Sequence, residues 1–123
     1  MSASVERVEK PWGYELIWAR TDRYVGKILH VNRQQCLSYQ YHRVKDETIH
    51  LLRGLVELEV GTADGQRRVV RLQPGDSFRI PAGLRHRMTA VEDSDLLEAS
   101  TPELDDVVRL EDRYGRAPGG DDT

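Results

Sequence analysis

Gln40, His42, Glu47 and His86 are the residues of this 123-residue chain whose types and spacing could close around one metal ion. In an extended strand, side chains two apart share a face, so Gln40 and His42 in Ser38-Tyr39-Gln40-Tyr41-His42 point the same way. Glu47 opens the next apolar run, Glu47-Thr48-Ile49-His50-Leu51-Leu52, just past the polar turn Arg43-Val44-Lys45-Asp46, so an adjoining strand returns a carboxylate to the same spot. His86 follows Pro81-Ala82-Gly83-Leu84-Arg85, where a Pro and a Gly force a turn and deliver an imidazole at the head of another strand. One amide oxygen, two imidazoles and one carboxylate suit a divalent ion: zinc first, with iron, manganese, cobalt and nickel as alternatives. Taken singly, each of the four is an ordinary strand residue, and the joint spacing carries the reading.

The elements that must position them are short apolar runs broken by turn residues, the pattern of an all-β sandwich or barrel. Strands are expected at Tyr14–Ala19, Val25–Asn32, Cys36–His42, Glu47–Arg53, Leu55–Gly61, Gln66–Leu72, Ser77–Ile80, His86–Val91 and Asp95–Ser100. Alternation is clearest where Val56, Leu58 and Val60 share one face and Glu57 and Glu59 the other. Asp64-Gly65 marks a hairpin tip and Arg53-Gly54 another corner. Thr101–Tyr114 is expected to be partly helical, and the Gly-rich acidic ending 117–123 to be disordered. By the same alternation His30 and His50 face away from the centre, whereas Cys36 shares the side of Ser38, Gln40 and His42 and points into the barrel.

Length and composition allow one domain with one modest core. Charged residues make up 32% of the chain, yet the net charge is only −3 and the signs are interleaved, which leaves no basic face for nucleic acid. Cys36 is the single cysteine and has no partner for an internal disulfide, and the start of the chain carries no apolar signal region. Those features lead to the expectation of a cytoplasmic protein. With no run of about 18 apolar residues, no membrane helix is expected.

Gln40-x-His42, Glu47 and Gly54, followed by Gly75, Pro81-x-Gly83 and His86, resemble the two motifs of the cupin family. The resemblance implies a small jelly-roll-like β-barrel holding one divalent metal ion. Lys10-Pro11-Trp12-Gly13-Tyr14-Glu15, Leu37-Ser38-Tyr39-Gln40-Tyr41-His42 and Asp105-Asp106-Val107-Val108-Arg109-Leu110-Glu111-Asp112-Arg113-Tyr114-Gly115-Arg116 look like the phosphomannose isomerase domain found at the carboxyl end of bifunctional mannose-1-phosphate guanylyltransferases. That likeness runs from about Val8 to Arg116. It implies Gln40, His42, Glu47 and His86 as metal ligands, mannose 6-phosphate or a related sugar as substrate, and pairing into a homodimer. The chain departs from the pattern at Cys36, where those domains carry an Arg, and at Arg43, Val44 and Thr48, where they carry extra histidines. No nucleotidyltransferase part is expected within these 123 residues.

Aldose–ketose interconversion needs a base for a weakly acidic C–H and a positive centre for the enediol oxyanion. Lys27, on the strand face of Leu29 and Val31, and Glu98, flanked by Leu96-Leu97 and Ala99, are the candidates for proton transfer. The competing reading of both is a buried or rim ion pair, with an arginine in the case of Glu98. Trp12, Tyr39 and Tyr41 are candidate pocket walls, and Arg85, Arg87, Arg113 and Arg116 candidate phosphate clamps. A metal-dependent cupin of another reaction, such as an oxygenase, and a non-catalytic sugar-binding module are the alternative functions; the Gln ligand makes a less electron-rich set than the His-rich centres used with oxygen.

Overall fold

The computed structural model describes residues 1–116, so the ending 117–123 lies outside the described residues. Eleven strands follow in chain order: β1 Glu6–Lys10, β2 Gly13–Arg20, β3 Val25–Val31, β4 Tyr39–Tyr41, β5 Glu47–Arg53, β6 Val56–Gly61, β7 Arg67–Leu72, β8 Ser77–Ile80, β9 His86–Ala90, β10 Ser94–Ser100 and β11 Val108–Glu111. They form two antiparallel sheets, one ordered β1-β2-β3-β10-β5-β8 and the other β11-β4-β9-β6-β7. Alternation decides what lies between them. Ile49 and Leu51 on β5, Leu29 and Val31 on β3, Leu58 and Val60 on β6, and Met88 and Ala90 on β9 turn inward and build one core cluster. Among the described residues there is no helix, hence none long and apolar enough to cross a membrane.

Two glycines are required by close approach, one at a corner and one within a strand. Gly54 has φ +100°, and a Cβ there would lie 2.2 Å from Ser94 Oγ and 2.5 Å from the Asp93 carbonyl, so only glycine lets β5 bend into β6 against the start of β10. Trp18 lies flat on Gly26 across the β2–β3 pair, where a Cβ would meet its ring at 2.6 Å.

The structure corrects three expectations. Glu6–Lys10, with no alternating apolar signal, forms an edge strand because β2 offers an unpaired ladder beside it. Thr101–Tyr114 contains no helix: Val108–Glu111 instead adds a strand to the edge of β4, and tertiary pairing overrides the local preference. Cys36 does not point into the barrel. Strand β4 begins only at Tyr39, Leu37 enters the core, and the break between them reverses the parity of Cys36. Its thiol lies near Arg113, Arg87, Glu59 and Asp112 on the outer side, and burial pushes its pKa up. Cys36 is also bridged to Thr89 and hydrogen-bonded through its amide to the Tyr114 hydroxyl.

Candidate metal centre

His42, Glu47 and His86 converge between the sheets, with one potential ligand atom from each lying within 4.8 Å of the others. Their positions follow from register. Gln40 on β4 stands directly opposite His86 on β9, and directly opposed residues share a face. His42 continues that face beyond the strand end, with its ring centre 5.4 Å from that of His86. Glu47, at the head of β5, closes the group from the other sheet, its oxygens 3.7 Å from His42 Nε2 and 3.9 Å from His86 Nε2.

The hydrogen bonds of the two imidazoles select the form a metal requires. Nδ1 of His42 lies 2.5 Å from the Asp106 carbonyl and Nδ1 of His86 lies 2.9 Å from the Leu84 carbonyl. A carbonyl only accepts, so each Nδ1 carries the proton and each Nε2 keeps its lone pair. Both Nε2 atoms are buried without a hydrogen-bond partner, as are Glu47 Oε1 and Gln40 Nε2. Burial lowers the pKa of His42, and it takes that of His86 to about 4, so both rings are neutral at physiological pH. Gln40 Oε1 accepts from Ser38 Oγ at 3.0 Å. Exchanging the two ends of that amide makes Ser38 the acceptor and puts the oxygen at the unpartnered position. Buried polar atoms without partners are costly, and a divalent cation would satisfy this set in a single step. The donor set therefore fits the ion that the sequence implies.

A row of buried charges adjoins the centre. Lys45 Nζ is 3.0 Å from Glu47 and 3.1 Å from Glu98, and Lys27 Nζ is 3.3 Å from Glu15. All five side chains are at most 1% exposed. Burial and the Glu98 charge push Glu47 up to about 8, while at Glu98 the charges of Lys45 and Lys27 outweigh burial and hold the carboxyl below its ordinary range. Lys45 is held well above the ordinary lysine range, because the two carboxylates outweigh its desolvation. Such a cluster is expensive to bury, and perturbed ionisable groups gather at functional sites.

The structure thus brings Gln40, His42, Glu47 and His86 together and puts Glu98 beside them. The ion-pair partners of Lys27 and Glu98 are Glu15 and Lys45, so Glu98 pairs with a lysine and not with an arginine. Lys45 and Glu15 escape a sequence reading because one sits in a polar turn and the other in a strand of mixed character. The available signal was parity: Lys45 lies two before Glu47, and Glu15 two before the buried Ile17. Trp12 is completely buried in the core cluster and packs the barrel rather than walling a pocket. Tyr39, Tyr41, Arg85 and Arg87 lie on the outer side of the second sheet. There Arg85 stands 5.8 Å from the Tyr41 ring centre, and Arg87 binds Glu59. Arg113 donates to the Gln34 carbonyl and Arg116 pairs with Asp112. Because Gln34 bonds Ala90, at the far end of β9 and about 13 Å along the strand from His86, neither Arg113 nor Arg116 reaches the cluster. His30 and His50 face outward, bonded to Asp95 and Ser77.

Comparison with known proteins agrees with this architecture. Residues 29–98 match the family model described as a cupin domain. The chain is 36% identical over 115 residues to mannose-1-phosphate guanylyltransferase ManC of Salmonella typhimurium; the match covers 89% of this chain but only 23% of that protein. Among solved structures, the capsular polysaccharide assembling protein CapF of Staphylococcus aureus superposes with a TM-score of 0.74 at 16% identity, over 89% of this chain and 33% of that one. KdgF of Halomonas superposes with a TM-score of 0.65 at 24% identity, over 82% of this chain and 87% of its own. Oxalate decarboxylase of Bacillus subtilis, a protein with Mn(II) centres, gives 0.66 at 13% identity over 80% of this chain and 27% of its own. With a family match across more than half its length, two antiparallel sheets and a His/Glu/His cluster between them, this chain belongs to the cupin family.

Proposed function

We propose that the chain is a metal-dependent cupin that acts on a sugar or sugar phosphate, interconverting aldose and ketose by moving a proton between adjacent carbons. The observation that carries this reading is the convergence of His42, His86 and Glu47 beside Glu98, which Lys45 bridges to Glu47. The sugar follows from the likeness to the guanylyltransferase, of which the chain matches less than a quarter.

A divalent ion held by Gln40, His42, Glu47 and His86 supplies positive charge for an oxyanion. The remaining work falls to the chain's own groups. Glu98, kept ionised by Lys45 and Lys27, is the group suited to take a proton from carbon and return it to the neighbouring one. Lys45, which bridges Glu47 and Glu98, fixes the Glu98 carboxylate in place. Lys27, held by Glu15, supports Glu98 electrostatically. His42, Glu47, His86 and Glu98 are each at most 1% exposed, and a site poor in water limits side reactions of an enediol.

The test combines metal analysis of the purified protein with assays on a panel of free and phosphorylated sugars in deuterium oxide. Deuterium should enter at the carbon next to the carbonyl, and Glu98→Gln should lower that exchange by about a hundredfold or more with metal retained. Metal-loaded protein that binds sugars yet neither interconverts them nor exchanges their protons would establish the non-catalytic binding module instead.

A further inference from the structure

The outer face of the second sheet holds a cavity of about 340 Å³, walled by Tyr39, Gly61, Arg85 and the β6–β7 hairpin tip with Thr62 and Gln66. Register explains its place. Gly61 ends β6, and its amide donates to the Arg85 carbonyl at 2.8 Å, one step beyond the pairing of Val60 with His86. Tyr39 and Arg85 directly precede Gln40 and His86, whose side chains are buried in the metal centre. Neighbouring side chains on a strand leave by opposite faces, so the cavity and the metal centre lie back to back across one sheet. A Cβ on Gly61 would stand 2.7 Å from the Tyr39 hydroxyl and 3.1 Å from Arg85 Cβ. The bare backbone at Gly61 therefore keeps the floor of the cavity open.

The walls are held in place by the protein itself. Arg67 and Arg87 lie 3.7 and 5.9 Å from the centre of the Tyr39 ring, and both guanidiniums are bound by Glu59 and Glu111. At the hairpin tip, Asp64 accepts from the Thr62 hydroxyl and from the Gln66 amide, so that carboxylate is engaged within the tip. Arg85 differs from these groups. Among the described residues no carboxylate lies within ion-pair distance of it, and its guanidinium faces the Tyr41 ring at 5.8 Å. The Tyr39 hydroxyl adds a second donor, and no acidic residue lines the cavity. A cation without a carboxylate partner, set beside a hydroxyl in a concave wall, favours negative charge. A guanidinium fork grips carboxylate or phosphate oxygens in pairs, and the volume is at the lower end of small-molecule sites.

We propose that this cavity is a second binding site, for a small molecule whose carboxylate or phosphate group is held by Arg85 and Tyr39. It lies outside the metal centre, so its occupancy does not require the ion, and it stands apart from the isomerase reading. The test is nuclear magnetic resonance titration of the isotope-labelled full chain with inorganic phosphate, gluconate and glucose. Phosphate, gluconate or both should shift the amides of Gly61, Gln66 and Arg85 saturably, with and without zinc, and neutral glucose should not. A response to phosphate alone supports the site and names its head group as phosphate; a response to gluconate alone supports it and names a carboxylate. Arg85→Gln should weaken the anion by about tenfold or more, and Tyr39→Phe should weaken it less. Arg85→Lys, which keeps the charge but loses the fork, should be intermediate and serves if the Gln variant does not fold. Arg113→Gln, on the same chain but bonded to Gln34 away from the cavity, should change nothing. The proposal is overturned if neither anion gives saturable shifts at these amides, if Arg85→Gln binds as the wild type does, or if Arg113→Gln weakens binding equally. Shifts centred on His42 and His86 that vanish without zinc would also overturn it, since they would place the anion at the metal centre.

Discussion

The backbone carbonyl of Asp106 lies 2.5 Å from Nδ1 of His42, a residue 64 positions away in the chain. The Asp106 carboxylate meanwhile accepts from the amides of Arg43, Val44 and Lys45 at 2.9, 2.7 and 2.8 Å. One residue therefore sets the tautomer of a candidate ligand and shapes the turn that delivers Lys45 and Glu47. The partners of the carboxylate are backbone amides, so the shape of the turn does not depend on side-chain rotamers within it.

Asp106→Ala keeps the carbonyl and removes the carboxylate, leaving three amides in the turn without their acceptor. Metal affinity, measured by competition with a chelator, is expected to fall by about tenfold or more, the usual effect of removing support from a ligand. Unchanged affinity would show that the 101–107 segment is not needed to hold the centre.

Substitution of the ligands themselves gives a graded result. His42→Ala and His86→Ala should each lower bound metal about tenfold or more, and Glu47→Gln, which retains an oxygen donor, should lower it less. His30→Ala and His50→Ala should leave metal content as it is, because both rings face outward onto Asp95 and Ser77. Full metal content in both of the first two variants would end the metal-centre reading.

The strands that build the centre were legible because their sequence is punctuated. Pro81 and Gly83 announce His86, and the two-residue step from Gln40 to His42 keeps its face although β4 ends at Tyr41. Where the chain breaks its own parity, the sequence misleads. Counting back in twos from His42 puts Cys36 inside, but Leu37 takes the core position, the Cys36 amide donates to the Tyr114 hydroxyl and the thiol lies near Arg113 and Arg87. Long-range pairing is the other blind spot. Nothing local in Val108–Glu111 reveals that Arg109 will stand opposite Gln40, and a reading of the sequence alone singles out Arg113 and Arg116 instead. Lys45 was hidden by its surroundings, since a lysine between Val44 and Asp46 reads as solvated and is in fact 1% exposed.

Acid should loosen the C-terminal turn in a defined window. The Arg116 guanidinium, 2.8 Å from Asp112, together with the amides of Arg116 and Tyr114, holds the Asp112 carboxyl at about 2. Unfolded, an aspartate titrates near about 3.9. The folded state thus binds its proton later, so the contribution of Asp112 is fully present above about pH 3.9 and is lost as pH falls through about 2. Near-ultraviolet circular dichroism of Tyr114, whose hydroxyl donates to Gln35, should follow that loss, and Asp112→Asn should remove the transition. A transition that persists in Asp112→Asn would assign it to another carboxylate.

Lys45 offers the sharpest test of the buried charge row, because its ammonium stands between two carboxylates that are no more than 1% exposed. Lys45→Met keeps most of the side-chain volume and removes the charge, so Glu98 loses its cation and Glu47 is pushed further towards its protonated form. Breaking a buried pair by deleting one partner costs about 3–5 kcal/mol, and that loss should appear in urea unfolding of metal-free protein. With zinc present the loss should shrink, since a cation bound by Glu47 takes over part of the compensation. Adding Glu98→Gln to Lys45→Met should recover part of the metal-free loss, because only one buried carboxylate then lacks its cation. Equal destabilisation with and without zinc, and no recovery in the double variant, would mean that Lys45 packs the barrel rather than balancing its charge.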